Sequence, residues 1–248
     1  DNPTKTRRST TDLTVMPNIL ELQRDDIPGE QDNWEIGGDY ETFLNNGDRF
    51  KILFVLNQDN RDRTRERFEI FADGSEEKNL FLESGSVTEE EIIRSSYTRD
   101  IFDGQDIEFG IERAVTTLDS NLALGVLDST GIPSANFGGL VPVALSNANS
   151  IVEEVRYEPF LIHNWNFSSR MSLESTLLYE QSEITQSGDV SNKRDFDFVK
   201  PKVDLRYDLT PTIQLRGSIE KIVQQLRFSD FVADTDSNDE DSNIAAGN

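Results

Sequence analysis

Few residues in this chain could do chemistry. It has no cysteine and one histidine, so disulfides, cysteine nucleophiles and thiolate zinc sites are excluded, and any Ser-His-Asp relay must run through His163. His163 alternates with Leu161 and Trp165, a parity that sets it on an apolar face. There the ring packs its body against apolar neighbours and turns a nitrogen toward water or headgroups, a structural role. Neither Gly-x-Ser-x-Gly nor His-Glu-x-x-His occurs, which leaves no hydrolase signature. Residues 234–241 begin with the Asp-x-Asp-x-Asn spacing of a calcium loop, but Asp239 stands where the loop needs Gly and Ala245 where it needs Glu, so an EF-hand is excluded. The acidic run reads as a solvated loop, with weak divalent-ion binding as the alternative. Residues 131–139 are glycine-rich without the Lys-Ser/Thr ending of a phosphate-binding loop and read as a mobile external loop. One constellation remains. Arg156, Lys200, Lys202, Arg206 and Arg216 share a strand parity with Glu154, Glu158, Asp204 and Glu220. Such a face can contact an anionic ligand or a neighbouring domain, or neutralise itself through cross-strand pairs of about 0.2–1 kcal/mol each; self-neutralisation is the expectation. No catalytic, cofactor or metal residue is assigned.

The elements that must carry this face are strands. Val199, Pro201, Val203, Leu205, Tyr207 and Leu209 alternate with Lys200, Lys202, Asp204, Arg206 and Asp208, one apolar and one charged side at period two. After Thr210-Pro211 the pattern resumes with Ile213, Leu215, Gly217 and Ile219 against Gln214, Arg216, Ser218 and Glu220, so the two runs form a hairpin. Three further pairs follow the same plan: residues 34–44 with 50–56, 91–99 with 107–112, and 154–167 with 171–180. The expectation is all-β, with about eight antiparallel strands of ten or more residues, where a globular strand averages about five to six. Tight turns fall near residues 45–48, 102–105, 168–170 and 208–212, and long polar segments fall around 58–88, 117–150, 181–193 and from 227 onward.

Composition narrows the class. The 24 basic and 47 acidic side chains leave a net charge of −23, which argues against nucleic acid as a partner. No apolar run approaches the roughly 20 residues of a spanning helix. Alternation alone also fits a soluble, secreted or surface-exposed sheet protein that binds carbohydrate or protein through its loops. Three features favour a transmembrane barrel instead. The strands have the roughly 9–11 residues that a tilted membrane strand needs, and aromatic residues such as Trp34, Tyr40, Trp165 and Phe167 gather near strand ends. The polar face is also ionic enough for a water-filled or plugged lumen. Short turns at one end and long loops at the other complete the outer-membrane pattern, with the short turns periplasmic and the long loops extracellular.

Particular segments carry a resemblance. Gln214-Leu215-Arg216-Gly217-Ser218, then residues 225–232 (Gln-Leu-Arg-Phe-Ser-Asp-Phe-Val), then Ala246-Gly247-Asn248 resemble the late-barrel region of TonB-dependent outer-membrane receptors. Asp106-Ile107-Glu108-Phe109-Gly110-Ile111-Glu112 with Leu118-Asp119-Ser120, and Phe198-Val199-Lys200-Pro201-Lys202, are similar to barrel strands of that family. The resemblance runs from roughly Trp34 to Asn248. It implies a receptor and transporter in the bacterial outer membrane, not an enzyme. Such a receptor takes up a scarce ligand (siderophore, cobalamin, oligosaccharide or similar) with energy delivered through TonB. The implied partners are membrane lipid, the receptor's own plug domain, TonB and a small extracellular ligand, with no cofactor. The five basic residues are then ligand- or plug-facing candidates. No plug domain, TonB-contacting box or terminal aromatic strand is recognisable, so the chain is expected to be a middle-to-late section of a barrel of about 22 strands. Residues 1–32 are expected to be a polar loop or an incomplete leading strand, and 33–248 part of the barrel.

Overall fold

The computed structural model describes residues 4–12, 19–223, 228–232, 234–235 and 244–245. Its strands are β1 (Thr4–Asp12), β2 (Ile19–Ile27), β3 (Gly29–Phe43), β4 (Arg49–Ile70), β5 (Glu76–Phe102), β6 (Gln105–Val126), β7 (Val141–Pro142), β8 (Asn149–Ser168), β9 (Met171–Gly188), β10 (Asn192–Thr210) and β11 (Ile213–Glu220). All eleven join one antiparallel sheet ordered β1-β2-β4-β5-β6-β8-β9-β10-β11, with β3 also on β4 and β7 on β6. Residues 234–235 and 244–245 form a separate two-residue pair.

β2 and β3 act as one strand along β4. Asp26 faces Glu66 and Gly29 faces Arg63, so the register is continuous across Pro28, which has no N–H to give the ladder. Its carbonyl still accepts the Thr64 N–H at 3.0 Å. The sheet is therefore an up-and-down meander, and the eight strands that the alternation marks are β3, β4, β5, β6, β8, β9, β10 and β11, all of 15 residues or more except β11, which has eight where ten or more were expected.

Period-two alternation assigns the two faces. On one, apolar side chains stand in the open: Tyr157 is 42 % exposed, Leu177 50 % and Val199 47 %. A single cross-strand row on this face reads Thr42, Phe50, Tyr97, Phe109, Leu161, Leu177 and Pro201. The other face is polar yet enclosed, as on the concave side of a coiled sheet. There Glu180 is 0 % exposed and Val152 0 %. We call these the outer and inner faces.

The tight turns lie where expected, at residues 44–48, 103–104, 169–170 and 211–212. The opposite end differs from the long loops expected there. Residues 58–88 are mostly strand, because β4 and β5 continue far past the apolar zone and meet through a turn at 71–75. At about 3.3 Å per residue, the 27 residues of β5 reach far beyond a hydrocarbon layer of about 25–30 Å. Polar cross-strand pairs stabilise this extension, Asn57 donating to Glu90 at 2.9 Å and Gln58 to Glu89 at 2.8 Å. Likewise β9 and β10 approach within a three-residue connection at 189–191, and among the described residues only 127–148 form a long irregular loop.

That loop is seated on the sheet. A one-turn 3-10 helix, Ala135–Phe137, ends at Gly138, whose φ of 63° lets the backbone lie flat against the Phe81 ring. The Gly138 carbonyl also accepts Lys78 Nζ at 3.1 Å. The Val143 and Leu145 side chains pack on a core of Leu80, Leu82, Leu122 and Leu124. Apolar burial at a strand tip thus holds the glycine-rich segment in one place, which the glycine content alone did not suggest.

Candidate functional site on the inner wall

Two of the five basic candidates meet in the middle of the inner face. Glu112 on β6 lies directly opposite Glu158 on β8, a like-charge pairing that destabilises a sheet. Arg156 sits between them, 3.8 Å from the Glu112 carboxylate and 3.7 Å from that of Glu158. Arg94 approaches the same Glu112 carboxylate from β5 at 3.6 Å. On the far side Lys200 lies 3.6 Å from Glu158 and is paired with Glu180. Signs alternate along the whole line: Arg94, Glu112, Arg156, Glu158, Lys200, Glu180. It crosses the wall from β5 to β10.

Burial gives this line its weight. The side chains of Arg156 and Lys200 are 20 % and 22 % exposed and that of Glu158 14 %, so their interactions are screened less than those of a surface pair. Around them Glu154 and Ser182 are buried as well. The arrangement fixes charge in place along a wall. It presents no nucleophile with a base, and among the described residues no group of three or more His, Cys, Asp or Glu could hold a metal ion.

The other three candidates lie toward the tight turns. Lys202, Arg206 and Arg216 line an open depression of about 710 Å3 with Asp106, Glu174 and Asp204. Lys202 pairs with Asp204 at 2.9 Å and Arg206 with Asp208 at 2.8 Å, while Arg216 donates to Gln214. Arg206 and Arg216 face each other directly in the β10–β11 register. The candidate set is therefore two groups, one built into a charge relay and one along a groove.

His163 stands on the outer face, its Nε2 3.1 Å from Gln105 Oε1 and its ring 6.3 Å from that of Trp165. Trp165 in turn packs on Phe167 with ring centres 3.8 Å apart. This cluster forms the aromatic edge of the apolar belt. Residues 236–241 of the acidic run, and residues 224–227 and 246–248, lie outside the described residues.

Sequence parity missed a second inner-face group, at the end of the wall away from the tight turns. Asn147, Ser150 and Gln186, each at most 3 % exposed, converge on the main-chain carbonyl of Phe231. Beside them Val152 and Ile184 form a core with Phe231 and Val232. The partners are 45 to 84 positions apart in sequence, a distance that no local pattern spans. The one local signal is Asn147, whose φ of 64° is unusual for a residue with a Cβ.

An antiparallel meander with an open apolar face backed by a polar, ionic face has the pattern of a section of transmembrane β-barrel wall. Residues 1–248 match the family model described as TonB dependent receptor-like, beta-barrel. The chain belongs to that family, which is one of outer-membrane receptors and transporters rather than a class of enzymes. Neither curated proteins nor solved structures gave a match.

Proposed function

We propose that this chain is a section of wall from a receptor in the bacterial outer membrane that imports a scarce ligand such as a siderophore, cobalamin or an oligosaccharide. Energy reaches it through TonB, which rearranges a plug domain inside the barrel. The observation that carries this reading is the division of the two faces: a continuous apolar row outward and a sign-alternating line of fixed charges inward. A hydrated, charge-paired lumen suits a wall against which a folded plug must slide and reseat.

Within this reading Lys202, Arg206 and Arg216 are the contact for the plug. Arg206 and Arg216 face each other in the β10–β11 register with one Asp208 carboxylate acting on both, so a second carboxylate brought by a domain in the lumen would complete their pairing.

Two measurements on the full-length protein test the proposal. Membrane fractionation should recover it with the outer membrane and release it only in detergent; recovery in a soluble periplasmic or secreted fraction overturns the reading. The immobilised periplasmic domain of TonB should retain the detergent-extracted protein. Loss of retention would remove the energy coupling while leaving the barrel assignment intact.

A further inference from the structure

Phe228–Phe231, a short 3-10 turn, lies with Val232 on the inner face of β8 and β9. We infer that Phe228–Phe231 with Val232 is a detachable strap, latched by the Phe231 carbonyl, and that its release uncovers an amide-and-apolar patch on the inner wall.

The attachment is what makes it detachable. Among the described residues the strap contributes no backbone hydrogen bond to the sheet. It is held by side chains. Asn147 Nδ2 donates to the Phe231 carbonyl at 2.6 Å and Gln186 Nε2 at 2.5 Å. Gln186 Nε2 also donates to Asn147 Oδ1 at 3.0 Å, tying the two amides together. The Ser150 hydroxyl stands at 3.5 Å from the same carbonyl. Val152 and Ile184 receive Phe231 and Val232, with Leu118, Phe196 and Phe228 around them, and the Arg194 guanidinium lies 5.8 Å above the Phe231 ring.

Among the described residues its removal breaks no ladder bond, so the wall of β8 and β9 stays intact while the strap moves. What it exposes is specific: amide groups of Asn147 and Gln186 that lack their carbonyl, beside the apolar Val152 and Ile184. Gln186 Nε2 keeps Asn147 Oδ1 and the Ser150 hydroxyl as acceptors, so release deprives the Asn147 amide of the Phe231 carbonyl and exposes apolar surface, and the strap reseats unless something else supplies the same chemistry. The replacement is a carbonyl-bearing group with an apolar flank. Asn147 lies just before β8 with a left-handed backbone, and its amide reaches the Phe231 carbonyl.

The inference concerns the inner wall alone and stands or falls apart from TonB coupling. It is tested by cysteine accessibility in the full-length protein in outer membranes. V232C reports the strap, and I132C, at a position 86 % exposed, sets the rate of a free site. A membrane-impermeant maleimide should label V232C far more slowly than I132C. Asn147→Gly keeps the left-handed backbone and removes one donor, and Gln186→Glu replaces the other donor with an acceptor at nearly constant shape. Each should raise V232C labelling roughly tenfold, the factor expected when about one hydrogen bond to a buried carbonyl is lost. Labelling is scored on the band that migrates as folded barrel without boiling, so misfolded protein does not enter the comparison. Labelling of V232C as fast as I132C in the otherwise unaltered protein overturns the seat, and continued protection in both N147G and Q186E overturns the latch.

Discussion

Arg156 lies between Glu112 and Glu158, within 3.8 Å of both, and so converts a directly opposed pair of carboxylates into the centre of an alternating line of charges. The sheet register creates the repulsion, and one side chain two positions from Glu158 on the same strand relieves it. The same face is thus both highly charged and locally neutral.

Arg156→Gln should therefore destabilise the barrel by about 1–3 kcal/mol, because it leaves two enclosed carboxylates facing each other. The measurement is the urea midpoint of the refolded full-length protein in detergent micelles, with the slope unchanged. Adding Glu158→Gln should recover most of the loss, since the second change removes one of the two opposed carboxylates. An unchanged midpoint in R156Q would mean that water in the lumen already screens the pair.

The lipid-facing assignment has a test in which exposure alone predicts nothing. Leu177 is 50 % exposed and Ile151 42 %, both on the outer face, but Leu177 lies within the apolar belt and Ile151 on the extension past it. In lipid vesicles Leu177→Arg should cost about 2–4 kcal/mol and Ile151→Arg about 0–1 kcal/mol. A soluble sheet would show two small and equal effects.

Strand existence was legible in the sequence wherever one face had to be apolar, and β3, β4, β5, β6, β8, β9, β10 and β11 follow from that demand. The extensions were not legible, because residues 57–67 carry no apolar side chain and 83–90 carry only Val87, so no alternation marks them. Pairs such as Asn57 with Glu90 hold them together, and these exist only once the register is set. The same holds for β1, where Thr4–Asp12 carries no apolar side chain. Of the candidate site, residue types and facing were readable from parity, as for Arg156 and Lys200. The opposition of Glu112 and Glu158 was not, since it depends on how two strands some 45 residues apart align.

Acid should loosen the end of the sheet that carries β2. The Arg24 guanidinium, hydrogen-bonded to Asp26, holds the Asp26 carboxyl below its usual range, and Lys5 at 3.8 Å adds to this. A carboxyl depressed in the folded state stabilises that state above its unfolded pKa of about 3.9 and loses the contribution as pH falls through its lower folded value. Hydrogen exchange of residues 22–26, corrected for intrinsic rates, should accelerate below about pH 4. Asp26→Asn should remove that acid dependence while exchange near pH 7 becomes faster.

Gly110 is the hinge of a second inner-face contact, and it predicts opposite signs for two superficially alike substitutions. A Cβ at Gly110 would collide with the Ser95 carbonyl and come within 2.6 Å of the Phe160 ring. The empty position is what lets Phe160 lie buried across β6, where the Arg94 guanidinium stacks 4.2 Å above its ring while reaching Glu112. Gly110→Ala should cost about 1–3 kcal/mol, as overpacking does, and should weaken the Arg94 end of the charge line with it. At Gly217 a Cβ meets nothing within 4 Å, and in an extended strand alanine gives up less backbone freedom on folding. Gly217→Ala should therefore stabilise the same urea transition by about 0.5–1 kcal/mol. Equal shifts in the two variants would mean that strand glycines act here only through backbone entropy, with no role for the seat that Gly110 provides for Phe160.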